Sequence, residues 1–106
     1  MSQTVYKYSF DGKVSLREVE ESLLLAVLAT ESLYGRAQVR LDASFYLEKG
    51  KKACVIDAST EVGCHIARIF TGFLVQEFGE EAFRVERLDG TKPVEGKDSA
   101  DRTGVL

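Results

Sequence analysis

The chain has 106 residues, 44% of them hydrophobic and 29% charged, and a net charge of -3 at pH 7. This length suits one domain with a modest core, and the balance of residues is that of a folded chain rather than a disordered one. The mild acidity argues against nucleic acid, whose phosphates are held by an excess of lysine and arginine, and the longest apolar run, Leu23 to Ala29, is far too short to cross a bilayer.

In chain order, Met1-Ser2-Gln3-Thr4 carries no basic stretch followed by an apolar one, so no signal peptide is expected. From Thr4 to Phe10 the residues alternate, with Tyr6, Tyr8 and Phe10 on one side and Val5, Lys7 and Ser9 on the other. Aromatic residues at period two predict a strand, and Asp11-Gly12 supplies the turn after it. Ser15 followed by Glu18 is a capping box. It starts a helix at Leu16 that runs to about Tyr34, where Gly35 ends it. At 100° per residue, Leu16, Val19, Leu23, Ala26, Val27, Thr30 and Tyr34 form its core face. Leu24, Leu25 and Leu28 fall on the opposite side, among Glu20, Glu21, Glu31 and Ser32.

Arg36 to Glu48 is the clearest period-two segment, with Ala37, Val39, Leu41, Ala43, Phe45 and Leu47 all on one side. It predicts a strand with one wet face. Glu48-Lys49-Gly50-Lys51 predicts a hairpin loop, and Lys52 to Ala58 the returning strand. A second helix is expected from about Thr60 to Phe78, capped by Ser59 or Thr60 and closed by Gly79. A last strand, Ala82 to Leu88, completes a domain over residues 1–88. Residues 89–106 are polar, hold the only proline and read as a flexible tail.

The element order β-α-β-β-α-β resembles the ferredoxin-like arrangement. That resemblance implies an α+β fold, with a four-stranded antiparallel sheet whose first and third strands are central and with both helices on one face. The plan hosts many activities, so function has to be argued from sites.

Four candidate sites stand out. Leu24, Leu25 and Leu28 group on neighbouring turns, and grouped exposed apolar residues mark an interface. A homodimer or a protein partner is expected there. The alternative is that they pack on the second helix or beneath the tail. The second candidate is the outer face of the second helix, shared by His65, Arg68, Gly72 and Gln76. A mid-helix glycine is costly there, which hints at a close approach, although a tolerated wet position is the favoured explanation. His65 as a general base lacks an orienting partner in the sequence. The third is Asp57-Ala58-Ser59-Thr60-Glu61-Val62-Gly63, where a helix N-terminus with hydroxyls can hold an anion. It lacks the glycine-rich pattern and the lysine of a phosphate loop, and capping alone accounts for it. Ser59, Thr60, His65 and Arg68 are the candidate ligand residues of these two sites.

The fourth is the open sheet face, with Lys7, Arg40, Asp42, Tyr46, Arg84 and Glu86 beside Ala53, Val55 and Asp57. Its third strand has no aromatic on which a base could stack. Asp42 and Asp57 could neighbour each other across the hairpin as a carboxylate pair, but on an exposed sheet pairing with Arg40 and other basic residues is the favoured reading.

The two cysteines, Cys54 and Cys64, have neither CxxC nor zinc spacing, and His65 is the only histidine. Two reduced thiols in a cytoplasmic chain are expected, with a Cys54–Cys64 disulfide as the alternative. No metal, cofactor or catalytic residue is expected. The reading favoured is a non-enzymatic domain that self-associates or binds a partner. The alternative is a regulatory domain sensing a small anion or metabolite near the N-terminus of the second helix or at a subunit junction.

Overall fold

The computed structural model describes residues 4–89. Its elements are β1 (Thr4–Phe10), α1 (Leu16–Tyr34), α2 (Arg36–Asp42), β2 (Phe45–Glu48), β3 (Ala53–Asp57), α3 (Glu61–Phe78) and β4 (Phe83–Asp89). Single 3-10 turns at Lys49–Lys51 and Glu80–Ala82 precede β3 and β4. Among the described residues the fold is α+β, with three α-helices and an open antiparallel sheet in the order β2-β3-β1-β4. β1 and β3 are central, while β2 and β4 form the edges.

Helix α1 follows its local signals closely. The Ser15 hydroxyl accepts from the Glu18 backbone N–H at 3.4 Å, and the Gly35 N–H closes the last turn on the Glu31 carbonyl at 2.8 Å. Val19, Ser22, Leu23, Ala26 and Thr30 are buried along one stripe. The Thr30 hydroxyl is satisfied inside the helix, donating to the Ala26 carbonyl at 2.8 Å, so its burial leaves no unpaired donor.

The segment after Gly35 departs from expectation. In place of a long strand from Arg36, the chain makes the seven-residue helix α2, and β2 keeps only Phe45–Glu48. Gly35 has φ 87°, a conformation natural to glycine that both ends α1 and opens α2. The apolar residues at 37, 39 and 41 fit a strand only if all three share one buried face. Here Val39 is 2% exposed while Leu41 is 81% exposed. In a helix Ala37 and Leu41 stand one turn apart on one side and Val39 faces the other way. Backbone N–H of Ala43 to the Val39 carbonyl, 2.8 Å, and Gln38 Nε2 to Asp42 Oδ2, 2.6 Å, hold that turn. Among the described residues there are therefore three helices, one more than the element order predicts. The expected hairpin loop is the 3-10 turn, followed by Lys52 in the left-handed region at φ 50°. β4 runs one residue beyond the expected boundary, to Asp89; the rest of the expected tail lies outside the described residues.

The strand register places the core. Tyr6 stands opposite Ile56 and Tyr8 opposite Cys54, while Val85 and Phe83 of β4 flank Tyr8 and Phe10. Tyr8, Phe10, Cys54 and Ile56 are buried with Val19, Leu23 and Ala26 of α1, Val39 of α2, and Val62, Ile66, Phe70 and Leu74 of α3. Tyr8 meets the Phe70 ring edge-on at 5.0 Å. Its hydroxyl bonds to Thr71 Oγ1 at 2.8 Å, and Thr71 in turn donates to the Ala67 carbonyl at 2.7 Å. Burial pushes the Tyr8 phenol up to about 12, against the opposing pull of the Thr71 hydrogen bond. The tyrosines of β1 thus belong to the interior rather than to a base-stacking platform.

Candidate functional site

Helix α1 lies along α3 and turns its remaining face to solvent. Leu24 is 52%, Leu25 55% and Leu28 57% exposed. The three therefore point away from the domain's own core, and neither α3 nor the sheet covers them. A helix packed on one side has no need of leucines on the other, and an apolar group of this kind is the usual sign of a contact surface. Between α1 and α3 beside Leu25 runs a groove of about 460 Å³, lined by Glu18, Glu21, Ser22, Leu25, Phe73, Gln76 and Glu77. Its lining combines the apolar Leu25 and Phe73 with three carboxylates, Glu18, Glu21 and Glu77. Arg17 approaches Glu21 at 3.9 Å, both side chains being well exposed, and such a pair contributes little to stability.

At the other end of the helix pair, His65 is not on the free outer face of α3. It is half-buried against α1, with its ring 5.3 Å from that of Tyr34 in an edge-to-face arrangement. His65 Nδ1 lies 2.8 Å from the Tyr34 hydroxyl and 3.1 Å from the Glu61 carbonyl. Nδ1 can serve only one of them at a time, accepting from Tyr34 or donating to Glu61 according to the tautomer. Burial, with Glu61 nearby, raises the Tyr34 pKa. The histidine joins two helices. Arg68, Gly72 and Gln76 remain exposed on α3 as expected, and a β-carbon on Gly72 would meet open space.

The N-terminus of α3 uses its hydroxyls internally. Thr60 Oγ1 accepts from the Gly63 N–H at 3.0 Å and donates to the Asp42 carbonyl at 3.0 Å. Ser59 Oγ accepts from the Thr4 N–H at 3.1 Å, and the Ser59 N–H donates to Asp57 Oδ1 at 2.9 Å. These bonds tie α3 to α2 and to β1. Ser59 and Thr60 are thus separated in role from Arg68, which lies two turns further along α3. Arg68 belongs instead to a groove of about 450 Å³ between α3 and the sheet, lined by Tyr6, Tyr8, Cys64, Ala67, Arg68, Thr71 and Val85.

The open sheet face is smaller than expected. Lys7, Val55 and Tyr46 are in register across three strands, and Lys7 stands opposite Glu86. Arg40 and Asp42 are not part of it, because they lie on α2. Asp57 pairs in register with Val5, and Asp42 ends α2 rather than standing on a strand across the hairpin. Both cysteines are free, Cys54 buried and Cys64 half-exposed, and burial pushes the Cys54 thiol up to about 12. Among the described residues, no group of three or more His, Cys, Asp or Glu is placed to hold a metal ion, and no helix is long and apolar enough to cross a membrane.

No protein-family model, curated protein or solved structure matches the chain.

Sequence reasoning missed the two grooves. Each is made by residues far apart in the chain, Glu18 with Glu77 and Tyr6 with Arg68, and only the pairing of the elements brings them together. The contact between Tyr34 and His65 was equally out of reach, although both sit at matching ends of adjacent helices.

Proposed function

We propose that this chain is a non-enzymatic protein-interaction domain acting in the cytoplasm, built on the ferredoxin-like plan with α1 and α3 on one face of the sheet. Its contact surface is the outer face of α1. The partner, a second copy or another protein, covers Leu24, Leu25 and Leu28. The observation that carries this reading is that all three leucines are more than half exposed on neighbouring turns. Each retains about half its surface to bury, worth about 1 kcal/mol apiece on association. The strand order, with β1 and β3 central, supports the plan.

The test is a pair of measurements on the full chain. The reading expects either concentration-dependent dimerisation in sedimentation or binding of an amphipathic helical peptide. The double variant Leu24→Glu/Leu28→Glu should abolish whichever is seen while leaving the circular dichroism unchanged. A chain that stays monomeric at high concentration and takes no such peptide overturns it.

A second reading, a regulatory domain that senses a small anion or metabolite, draws support from the groove beside Arg68. Its volume of about 450 Å³ lies within the range of small-molecule sites, and it combines apolar walls with one guanidinium. Thermal shifts with a panel of organic carboxylates, lost in Arg68→Gln, would favour it.

A further inference from the structure

The leucine face of α1 and the groove beside it differ sharply in charge from a surface suited to pairing with itself. Around the leucines stand Glu18, Glu20, Glu21 and Glu31 of α1 and Glu77 of α3, against Arg17 alone among the described residues of this face. Glu31 lies in the last turn of α1 and Glu77 in the last turn of α3, and neither turn carries a basic residue. The carboxyl end of a helix is its negative end, so an acidic residue there costs stability. Helix stability therefore accounts for neither glutamate.

The two-fold arrangements open to a second copy make the charge problem worse. An antiparallel pairing of α1 that sets Leu24 on Leu28 of the copy also sets Glu21 on Glu31. A parallel pairing sets each residue near its own counterpart, so Glu20 and Glu21 meet themselves. An isologous contact uses the same patch twice, so Glu18, Glu20, Glu21, Glu31 and Glu77 of each copy are gathered against Arg17 alone, even in the antiparallel register that sets Arg17 on Glu31 of the copy, and like charges brought together at an interface are costly.

We infer that the occupant of this face is a cationic amphipathic helix of another protein. It lays its apolar residues on Leu24, Leu25 and Leu28 and its lysine or arginine side chains along Glu18, Glu21 and Glu77. The inference rests on the interaction reading above and names the chemistry of the partner. The groove beside Leu25 provides the seat: its lining offers Phe73 and Leu25 to the apolar stem of a lysine or arginine and Glu18, Glu21 and Glu77 to its charge. Helix-in-groove recognition uses apolar anchors one turn apart, which is the spacing that Leu24 and Leu28 present.

The experiment titrates the full chain with three versions of one short helical peptide. Leucines form its apolar face, and the polar face carries lysine, glutamine or glutamate. The lysine peptide should bind about tenfold more tightly than the glutamine peptide, with the glutamate peptide weakest. The triple variant Glu18→Gln/Glu21→Gln/Glu77→Gln should remove that advantage. A second triple variant with the same change of net charge, Glu48→Gln/Glu80→Gln/Glu81→Gln, should keep it. Added salt should shrink the lysine advantage. Three results overturn the inference: equal binding of the lysine and glutamine peptides, an equal loss in both triple variants, or sedimentation as a dimer that Leu24→Glu/Leu28→Glu dissociates. The last of these, or tight binding of the glutamine peptide alone, leaves the interaction reading standing; loss of all binding and of all self-association ends both.

Discussion

Gly63, in the first turn of α3, sits so close to the end of β3 that a β-carbon on it would overlap the carbonyl oxygen of Asp57. The obstacle is backbone, which cannot swing aside as a side chain can. Gly63→Ala should therefore cost about 2 kcal/mol, an overpacking penalty, read as a lower midpoint in urea with an unchanged slope. Gly72 is the contrast within the same helix. A β-carbon there meets nothing within 4 Å, and Gly72→Ala should raise stability by about 0.5–1 kcal/mol through helix propensity.

Alkaline pH should unfold the domain through two groups in its core. Tyr8 titrates at about 12 in place of 10.0, and Cys54 at about 12 in place of 9.0, each chiefly because burial disfavours the charged form. The unfolded chain releases these protons earlier than the folded one. Stability is thus fully present below pH 9 and falls as the pH rises from 9 through 12, by on the order of 5 kcal/mol in all. Urea midpoints measured at steps across this window should decline. In Cys54→Ala the decline should begin about one pH unit later, where tyrosine alone releases its proton.

The two thiols should behave differently toward an aromatic disulfide reagent. Cys64 is half-exposed on α3, whereas Cys54 is 0% exposed in β3. One thiol should react promptly in the folded protein and the second only in denaturant. Two fast thiols would contradict the packing of β3 against α3.

Substitutions at Val39 and Leu41 discriminate the helix α2 from the strand that the local pattern suggests. On a strand both face the same side, so both would be buried or both wet. In the structure Val39 is buried and Leu41 is not. Val39→Ala should cost about 1–2 kcal/mol and Leu41→Ser less than about 0.5 kcal/mol in urea denaturation.

Much of the fold was legible because its boundaries rest on local chemistry. Ser15, Gly35, Thr60 and Gly79 mark the ends of α1 and α3, and each acts through neighbours a few residues away. The segment from Arg36 was misread because seven residues are too few for a helical period to show. Ala37, Val39 and Leu41 imitate strand alternation perfectly well, and only their unequal burial reveals the turn. The outward direction of Leu24, Leu25 and Leu28 was legible from angles alone, since Val19, Leu23, Ala26 and Thr30 determine which side of α1 is inside. The acidic groove beside them was not, because Phe73 and Glu77 reach it from α3.

The edge position of β4 has a consequence for the behaviour of the chain at high concentration. Four of its seven residues, Arg84, Glu86, Arg87 and Asp89, carry charge. A strand arriving from another molecule to prolong the ladder would have to strip water from those groups and match their signs in register. Fibril growth by strand addition is therefore opposed at the longer of the two edges. The other edge, β2, offers a template only four residues long.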